Sequence, residues 1–205
     1  MDSSLKHTLT LISDAKKGDK GALERVCERY VQRVHKIVTF RMGAGLRGKT
    51  ESMDIVQSVM IKAIRDIDAF DTGSESKFIN WLAKIVENTI RDKVDYFAAE
   101  KRRAASEIPI VSGADEDMAG ITDIPDKISP TVTQEVENRE KLAILSDALN
   151  QIKDSHREAI ILRDYAGMTF KEIGELTDST EDAARMLYVR SMDEVTDILA
   201  DMMGE

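Results

Sequence analysis

The chain has 205 residues, of which 42% are hydrophobic, 33% charged and only 5% aromatic, and it contains three prolines. This length suits one large domain or two small ones, and the abundance of good helix formers favours a helical protein. No apolar run approaches the roughly 18 residues that a membrane span requires, and the first residues lack the order of a signal peptide. We therefore expect a cytoplasmic protein with no membrane insertion.

The net charge of −9 is distributed unevenly along the chain. Residues 1–103 carry 20 basic and 15 acidic side chains, residues 104–135 carry 1 and 7, and residues 136–205 carry 8 and 16. The middle stretch also contains all three prolines, and this composition is typical of a solvated linker. We predict two domains, residues 1–103 and 136–205, joined by an acidic flexible linker over residues 104–135.

Hydrophobic residues recur at helical spacing on both sides of this linker, and no stretch alternates with a period of two. The fold is therefore predicted to be all-α, with two small helical domains. In chain order the predicted helical segments are 23–38, 53–67, 78–97, 142–152, 160–165, a short helix around Ile173 and a long final helix from Thr180.

Two helix starts in the C-terminal segment carry capping signals. Thr169 and Glu172 have the spacing of a capping box, in which the threonine hydroxyl and the glutamate carboxylate satisfy first-turn amides reciprocally. Ser179 and Asp182 predict a weaker version of the same arrangement. A short capped helix, a tight turn and a second capped helix together predict a helix-turn-helix.

The predicted helix 78–97 has a polar face on which Asn80, Lys84, Asn88 and Arg91 lie three or four residues apart. Asparagine reads base edges through paired hydrogen bonds, and lysine and arginine neutralise phosphates. Trp81 and two later aromatic residues, Tyr96 and Phe97, offer faces on which an unstacked base could lie. The alternative is a solvated helix face with its aromatic residues in the core.

Nothing in the sequence indicates an enzyme. It has no phosphate-binding glycine loop, no HExxH motif and no Ser/His/Asp order, and its three histidines are far apart. The single cysteine, Cys27, has the spacing of a buried helix face and is interpreted as a small core residue. We predict no catalytic residue, no metal site and no cofactor.

Two segments carry a resemblance to a known family. The first runs from Asp54-Ile-Val-Gln57 through Ala69-Phe70-Asp71 and Phe78-Ile-Asn-Trp81-Leu82 to Asn88, Asp92 and Arg102-Arg103, and the second runs from Arg157 through Leu162-Arg163, Gly167 and Thr169 to Glu172-Ile173-Gly174. Together they resemble a bacterial RNA polymerase sigma factor of the sigma-70 family and the extracytoplasmic-function (ECF) type. The resemblance covers roughly residues 12–103 and 138–199.

The resemblance implies a transcription initiation factor that binds core RNA polymerase and directs it to promoter DNA. The implied polymerase-binding residues are Asp54, Gln57, Ser58 and Ile61. The loop 68–77 would capture a flipped base of the −10 element, and the implied −10 contacts are Phe70, Lys77, Asn80, Trp81, Lys84, Asn88, Arg91, Arg102 and Arg103. The implied −35 contacts are Thr169, Lys171, Thr180, Arg185, Tyr188 and Arg190.

Two alternatives stay open at this point. The acidic second domain allows a sigma-like decoy, which would bind an anti-sigma factor and never touch DNA. The helix-turn-helix also allows an ordinary transcriptional regulator whose N-terminal domain senses a ligand. An anti-sigma factor is a further expected partner of the sigma factor itself.

Overall fold

The computed structural model describes residues 3–70, 74–106 and 132–204. Within these ranges the chain is helical and contains no strand, which confirms the all-α prediction. The helices are α1 (Ser3–Lys16), α2 (Lys20–Arg41), the short α3 (Ala44–Arg47), α4 (Ser52–Arg65), α5 (Glu75–Ser106), α6 (Val132–Leu149), α7 (Asp154–Ile160), α8 (Phe170–Leu176) and α9 (Glu181–Met203). A 3₁₀ turn (Ile67–Ala69) follows α4, and a π-helical turn (Ile161–Tyr165) follows α7.

Helices α1 to α5 form the N-terminal helix group. Helix α2 begins where the Asp19 carboxylate accepts a hydrogen bond from the Ala22 amide, at 3.1 Å. One face of this helix is buried against α1, α4 and α5, and Tyr30, Val34 and Ile37 are at most 1% exposed. Because α4 and α5 each bury their apolar face in this core, their polar faces are turned toward solvent.

Two elements of this group differ from the sequence prediction. Helix α1 was not predicted, although Thr8, Leu11, Ile12 and Ala15 have helical spacing and are buried. Helix α5 extends beyond the predicted 78–97 at both ends. Its added C-terminal turns are rich in alanine, lysine and arginine, which favour helix without needing a buried face.

Helices α6 to α9 form the C-terminal helix group, which contains the predicted helix-turn-helix. The Thr169 capping box is confirmed: Thr169 Oγ1 accepts from the Glu172 amide at 3.2 Å, and the Glu172 carboxylate accepts from the Thr169 amide at 2.8 Å. The second cap was assigned one residue too early. Thr180, not Ser179, accepts from the Ala183 amide at 3.1 Å, because Ser179 is still in the turn.

The turn between α8 and α9 depends on a close backbone approach. A Cβ atom on Gly174 would lie 2.8 Å from the Ser179 carbonyl oxygen, and the Ser179 amide donates to the Gly174 carbonyl at 2.8 Å. Asp178 adopts a left-handed conformation with φ of +53° to complete the reversal. Glycine at position 174 therefore allows the turn backbone to pack closely against α8.

The two helix groups pack directly on each other along a seam. The rings of Phe40 and Tyr165 lie 4.6 Å apart, and Arg41 is paired with Glu158. The buried Ser146 hydroxyl donates to the Thr39 carbonyl at 3.0 Å. The buried apolar residues of both groups consequently form one continuous cluster.

The linker predicted over residues 104–135 lies mostly outside the described residues. Its first three residues are helical and belong to α5, and its last four belong to α6. The three prolines and the acidic run at 115–117 are among the residues that are not described.

Candidate polymerase and nucleic-acid interfaces

The predicted polymerase-binding residues share one side of α4, and we call them the α4 patch: Asp54, Gln57, Ser58 and Ile61. Asp54 and Gln57 are exposed and the other two are half-buried, whereas the opposite side of α4 is buried in the core. Ser58 Oγ donates to the Asp54 carbonyl at 2.9 Å, which orients its hydroxyl along the helix. The patch offers a mixed polar and apolar surface of the kind that another protein can cover.

A stripe of polar and basic residues runs along α5, and we call it the α5 stripe: Lys77, Asn80, Trp81, Lys84, Asn88 and Arg91. Successive members lie three or four residues apart, apart from the neighbouring pair Asn80 and Trp81, and all are exposed or half-buried. The structure therefore brings six of the nine predicted −10 residues together on one helix face. Arg102 and Arg103 are exposed further along the same helix.

Glu87 forms ion pairs with two cationic side chains of this stripe. The sequence analysis did not predict these ion pairs. Lys84 Nζ donates to one Glu87 carboxylate oxygen at 2.8 Å, and Arg91 donates to the other at 2.7 Å. The hydrogen bond from Lys84 lowers the pKa of the Glu87 carboxyl, which is therefore charged at neutral pH. The spacing of Glu87 three residues after Lys84 and four before Arg91 could have predicted both ion pairs.

Phe70 lies apart from the stripe surface, in the core. It is 5% exposed, and its ring centroid is 5.2 Å from Phe78 and 5.5 Å from Trp81. Sequence alone could not distinguish a buried ring from a stacking platform, because both are aromatic residues beside a loop. The predicted base-capture loop is described only in part, since residues 71–73 are outside the described ranges.

The remaining predicted DNA contacts lie around α8 and α9, where Arg185 and Tyr188 converge on Phe170. The Arg185 guanidinium lies 5.4 Å from the Phe170 ring centroid and pairs with Glu181 at 3.3 Å. The Tyr188 ring lies 5.5 Å from the same centroid, and its hydroxyl donates to Asp164 at 3.0 Å. Burial, with help from Asp164, raises the pKa of Tyr188, so it stays a protonated donor.

The other predicted −35 residues do not join this cluster. Arg190 is five residues beyond Arg185, which puts it about 140° around the helix axis. Thr169 and Thr180 use their hydroxyls as N-caps, and Lys171 is exposed on α8. Two of the six predicted residues thus form one contact cluster, and the rest are spread around the helix-turn-helix.

Comparisons with known proteins show the family to which the chain is similar. Residues 26–103 match the sigma-70 region 2 family model, and residues 148–195 match the sigma-70 region 4 model. The chain is 26% identical over 193 residues to the ECF RNA polymerase sigma-E factor of Haemophilus influenzae, covering 94% of this chain and 95% of that protein. It is 25% identical to the RNA polymerase sigma factor CarQ of Myxococcus xanthus, covering 90% and 93%.

Two solved structures share the fold. CnrH in complex with the cytosolic domain of CnrY has a TM-score of 0.58 at 19% identity, covering 95% of this chain and 98% of that chain. The sigma factor RpoE of Bartonella quintana, in complex with the anti-sigma factor NepR, has a TM-score of 0.52 at 16% identity, covering 85% and 94%.

These matches define the class of protein as a promoter-directing transcription initiation factor, which is not an enzyme. The chain belongs to the sigma-70 family and is a sigma factor of the ECF type. Among the described residues, no helix is both long and apolar enough to cross a membrane.

Proposed function

We propose that the α4 patch is the surface through which this chain binds core RNA polymerase. The observation that supports it is the division of α4 into two sides. Ile55, Val56 and Val59 are fully buried. Asp54 and Gln57, which belong to the motif that resembles the sigma-70 family, are exposed and make no contribution to the core. Residues of this kind are free to act in binding.

The α5 stripe is proposed to hold the melted −10 strand. Lysine and arginine along the stripe would neutralise phosphates, and the half-buried Trp81 would offer an aromatic surface to a base. Arg102 and Arg103 would extend the basic track. Phe70, being buried, is proposed to act by supporting Trp81 from beneath rather than by touching a base.

The α9 cluster of Arg185 and Tyr188 is proposed to meet the −35 element, with Thr169, Lys171, Thr180 and Arg190 contributing around it. The first turn of α9 is acidic, with Glu181 and Asp182, so phosphate attraction is weak there. A weak −35 contact can still contribute to promoter binding when it is linked to the −10 contact, because the linkage raises the effective concentration of the second binding site. Domains with the boundaries 1–103 and 136–205 would provide the two contacts.

Further expectations follow from the family. A protein that acts with RNA polymerase on promoter DNA is expected in the cytoplasm. Because one of the similar solved structures is a sigma factor bound by an anti-sigma factor, we also propose an anti-sigma partner for this chain.

Reconstitution with core RNA polymerase tests the proposal. Wild-type chain should form a complex that starts transcription at specific sites of a promoter library. Asp54→Asn and Gln57→Ala should weaken the complex at least about tenfold while the unfolding midpoint is unchanged, because both side chains are exposed. Glu100→Gln, an exposed carboxylate on α5, serves as the matched control. Wild-type affinity in both patch variants would show that the surface is misassigned.

The −35 assignment has its own test. If Arg185 reads a base, Arg185→Ala should cost about 1–3 kcal/mol at one promoter position. Equal losses for all −35 sequences would instead identify a phosphate contact.

A further inference from the structure

Two large apolar side chains lie exposed on α9, the second helix of the helix-turn-helix. Met186 is 49% exposed and Val189 is 44% exposed. They are the sixth and ninth residues of α9, so they lie about 60° apart on the same side of the helix. Neither belongs to the hydrophobic core. The core therefore gives no reason for apolar residues at these two positions.

This side of α9 faces away from the rest of the C-terminal helix group. The helix packs on α6, α7 and α8, and its buried residues are Ala184, Ser191 and Val195. At about 100° per residue these three lie within about 40° of one another around the helix axis, and Met186 and Val189 lie roughly opposite them. The apolar pair is therefore on the most outward part of α9.

An arginine flanks the apolar pair on each side. Arg185 is four residues before Val189, and Arg190 is four residues after Met186, so each arginine neighbours one member of the pair. Around the helix axis the order is Arg185, Val189, Met186 and Arg190, in steps of about 40° to 60°. Both arginines are exposed. Their separation around α9 thus places the apolar pair between two positive charges.

The major groove of duplex DNA fits this arrangement. The second helix of a helix-turn-helix lies in that groove with its N-terminal residues toward the base edges. Phosphates border the groove on both sides, so a cation on each side of the helix faces a negative charge. Base edges in the groove present hydrogen-bond donors and acceptors and one large apolar group, the C5-methyl group of thymine. An apolar side chain between the two arginines is therefore matched to a thymine.

Two acidic residues, Asp182 and Asp193, lie on the same side of α9, one before the apolar pair and one after it. They would attract a basic protein segment, but such a segment would also meet both arginines. The position of the pair in the first half of the second helix favours DNA. Because the two carboxylates weaken the attraction for phosphates, contacts with base edges supply more of the binding.

We propose that Met186 and Val189 are specificity-determining residues of the −35 contact, which read the C5-methyl groups of thymines in the major groove. This inference rests on the proposed function of α9. It adds two residues to those that the resemblance implies, and it names the chemical group that they recognise. A −35 element selected by this chain should consequently contain A·T pairs.

The test uses the full chain reconstituted with core RNA polymerase. A promoter is selected from a library with a randomised −35 segment, and each thymine of its −35 element is then replaced singly by uracil, which lacks only the C5-methyl group. Transcription initiation is measured with wild type, Met186→Ala and Val189→Ala. Met203→Ala is the matched control, since Met203 is also exposed on α9 but is its last residue.

With wild type, initiation should fall about fourfold when the methyl group is removed at one or two thymines, as expected for the burial of one methyl group. Each alanine variant should lose this discrimination at one position, whereas Met203→Ala should keep it. Met186→Leu should also keep it, because leucine is apolar and of similar volume. Both alanine variants should bind core polymerase like wild type, and their unfolding midpoints should match that of the control, because the side chains are exposed.

Other outcomes would overturn the proposal. They are a selected −35 element without A·T pairs, no effect of uracil with wild type, or an effect that persists unchanged in both alanine variants. Loss of core polymerase binding in either variant, whatever the DNA, would show that the pair contacts protein instead. If wild type starts transcription at specific sites but randomising the −35 segment has no effect, the proposed −35 function of α9 is itself wrong, and this inference fails with it.

Discussion

Arg41 offers the sharpest test of how the two helix groups are joined. Its side chain is only 10% exposed, and it donates to the Ala83 carbonyl at 2.6 Å and to Glu158 through two nitrogens, with the Nε contact at 3.2 Å. Arg41→Met keeps most of the aliphatic volume but removes every donor. The Ala83 carbonyl then loses this donor, and the Glu158 carboxylate loses its cation.

The expected cost follows from the exposure of these groups. Breaking a fully buried ion pair costs about 3–5 kcal/mol. Glu158 is 39% exposed, so water can solvate the abandoned carboxylate and the loss should be smaller. Adding the cost of depriving Ala83 of a donor, we expect the free energy of unfolding to fall by about 1.5–3 kcal/mol.

Urea unfolding measures this effect, with Arg25→Met, an exposed arginine on α2, as the control. Trp81, the single tryptophan, reports on the N-terminal group by fluorescence, while circular dichroism reports on all helices. The two transitions should coincide in wild type and separate in Arg41→Met. In a double-mutant cycle with Glu158→Gln the coupling should be about 1 kcal/mol. Coincident transitions and a change below about 0.5 kcal/mol would show that Arg41 does not join the two helix groups.

Three further predictions concern single side chains. Thr169→Ala should lower the free energy of unfolding by about 1 kcal/mol in thermal melts, because the capping box at α8 loses its hydroxyl, and an unchanged melt would contradict it. Glu87→Gln should tighten binding of a single-stranded oligonucleotide and steepen its salt dependence, whereas the exposed control Asp95→Asn should do so less; equal effects would argue against a specific role. Burial raises the pKa of the Cys27 thiol to about 11, above its ordinary value of 9.0. The folded state therefore keeps its proton longer, and stability should fall between about pH 9 and 11 by an amount that Cys27→Ala abolishes.

Hydrophobic spacing along the chain was enough to establish the helical character, whereas the domain pair and the two motif surfaces stay predictions. Apolar residues at helical spacing define a buried face whatever packs against it, so the exposed side of α4 with Asp54 and Gln57 could be predicted. The Thr169 capping box is equally local, because its donor and acceptor are three residues apart. The cap at Thr180 was misplaced by one residue because neighbouring Ser and Thr compete for the same role.

Which side chains meet across the chain depends on how the helices pack on one another. Phe70 and Trp81 are both aromatic residues near a loop, and packing alone determined that Phe70 is buried and Trp81 half-buried. Arg41 and Glu158 are 117 positions apart in the sequence, and Lys16 and Phe70 are 54 positions apart. Local residue spacing therefore predicts neither contact. Such contacts depend on the mutual arrangement of whole helices, which periodicity within one helix does not specify.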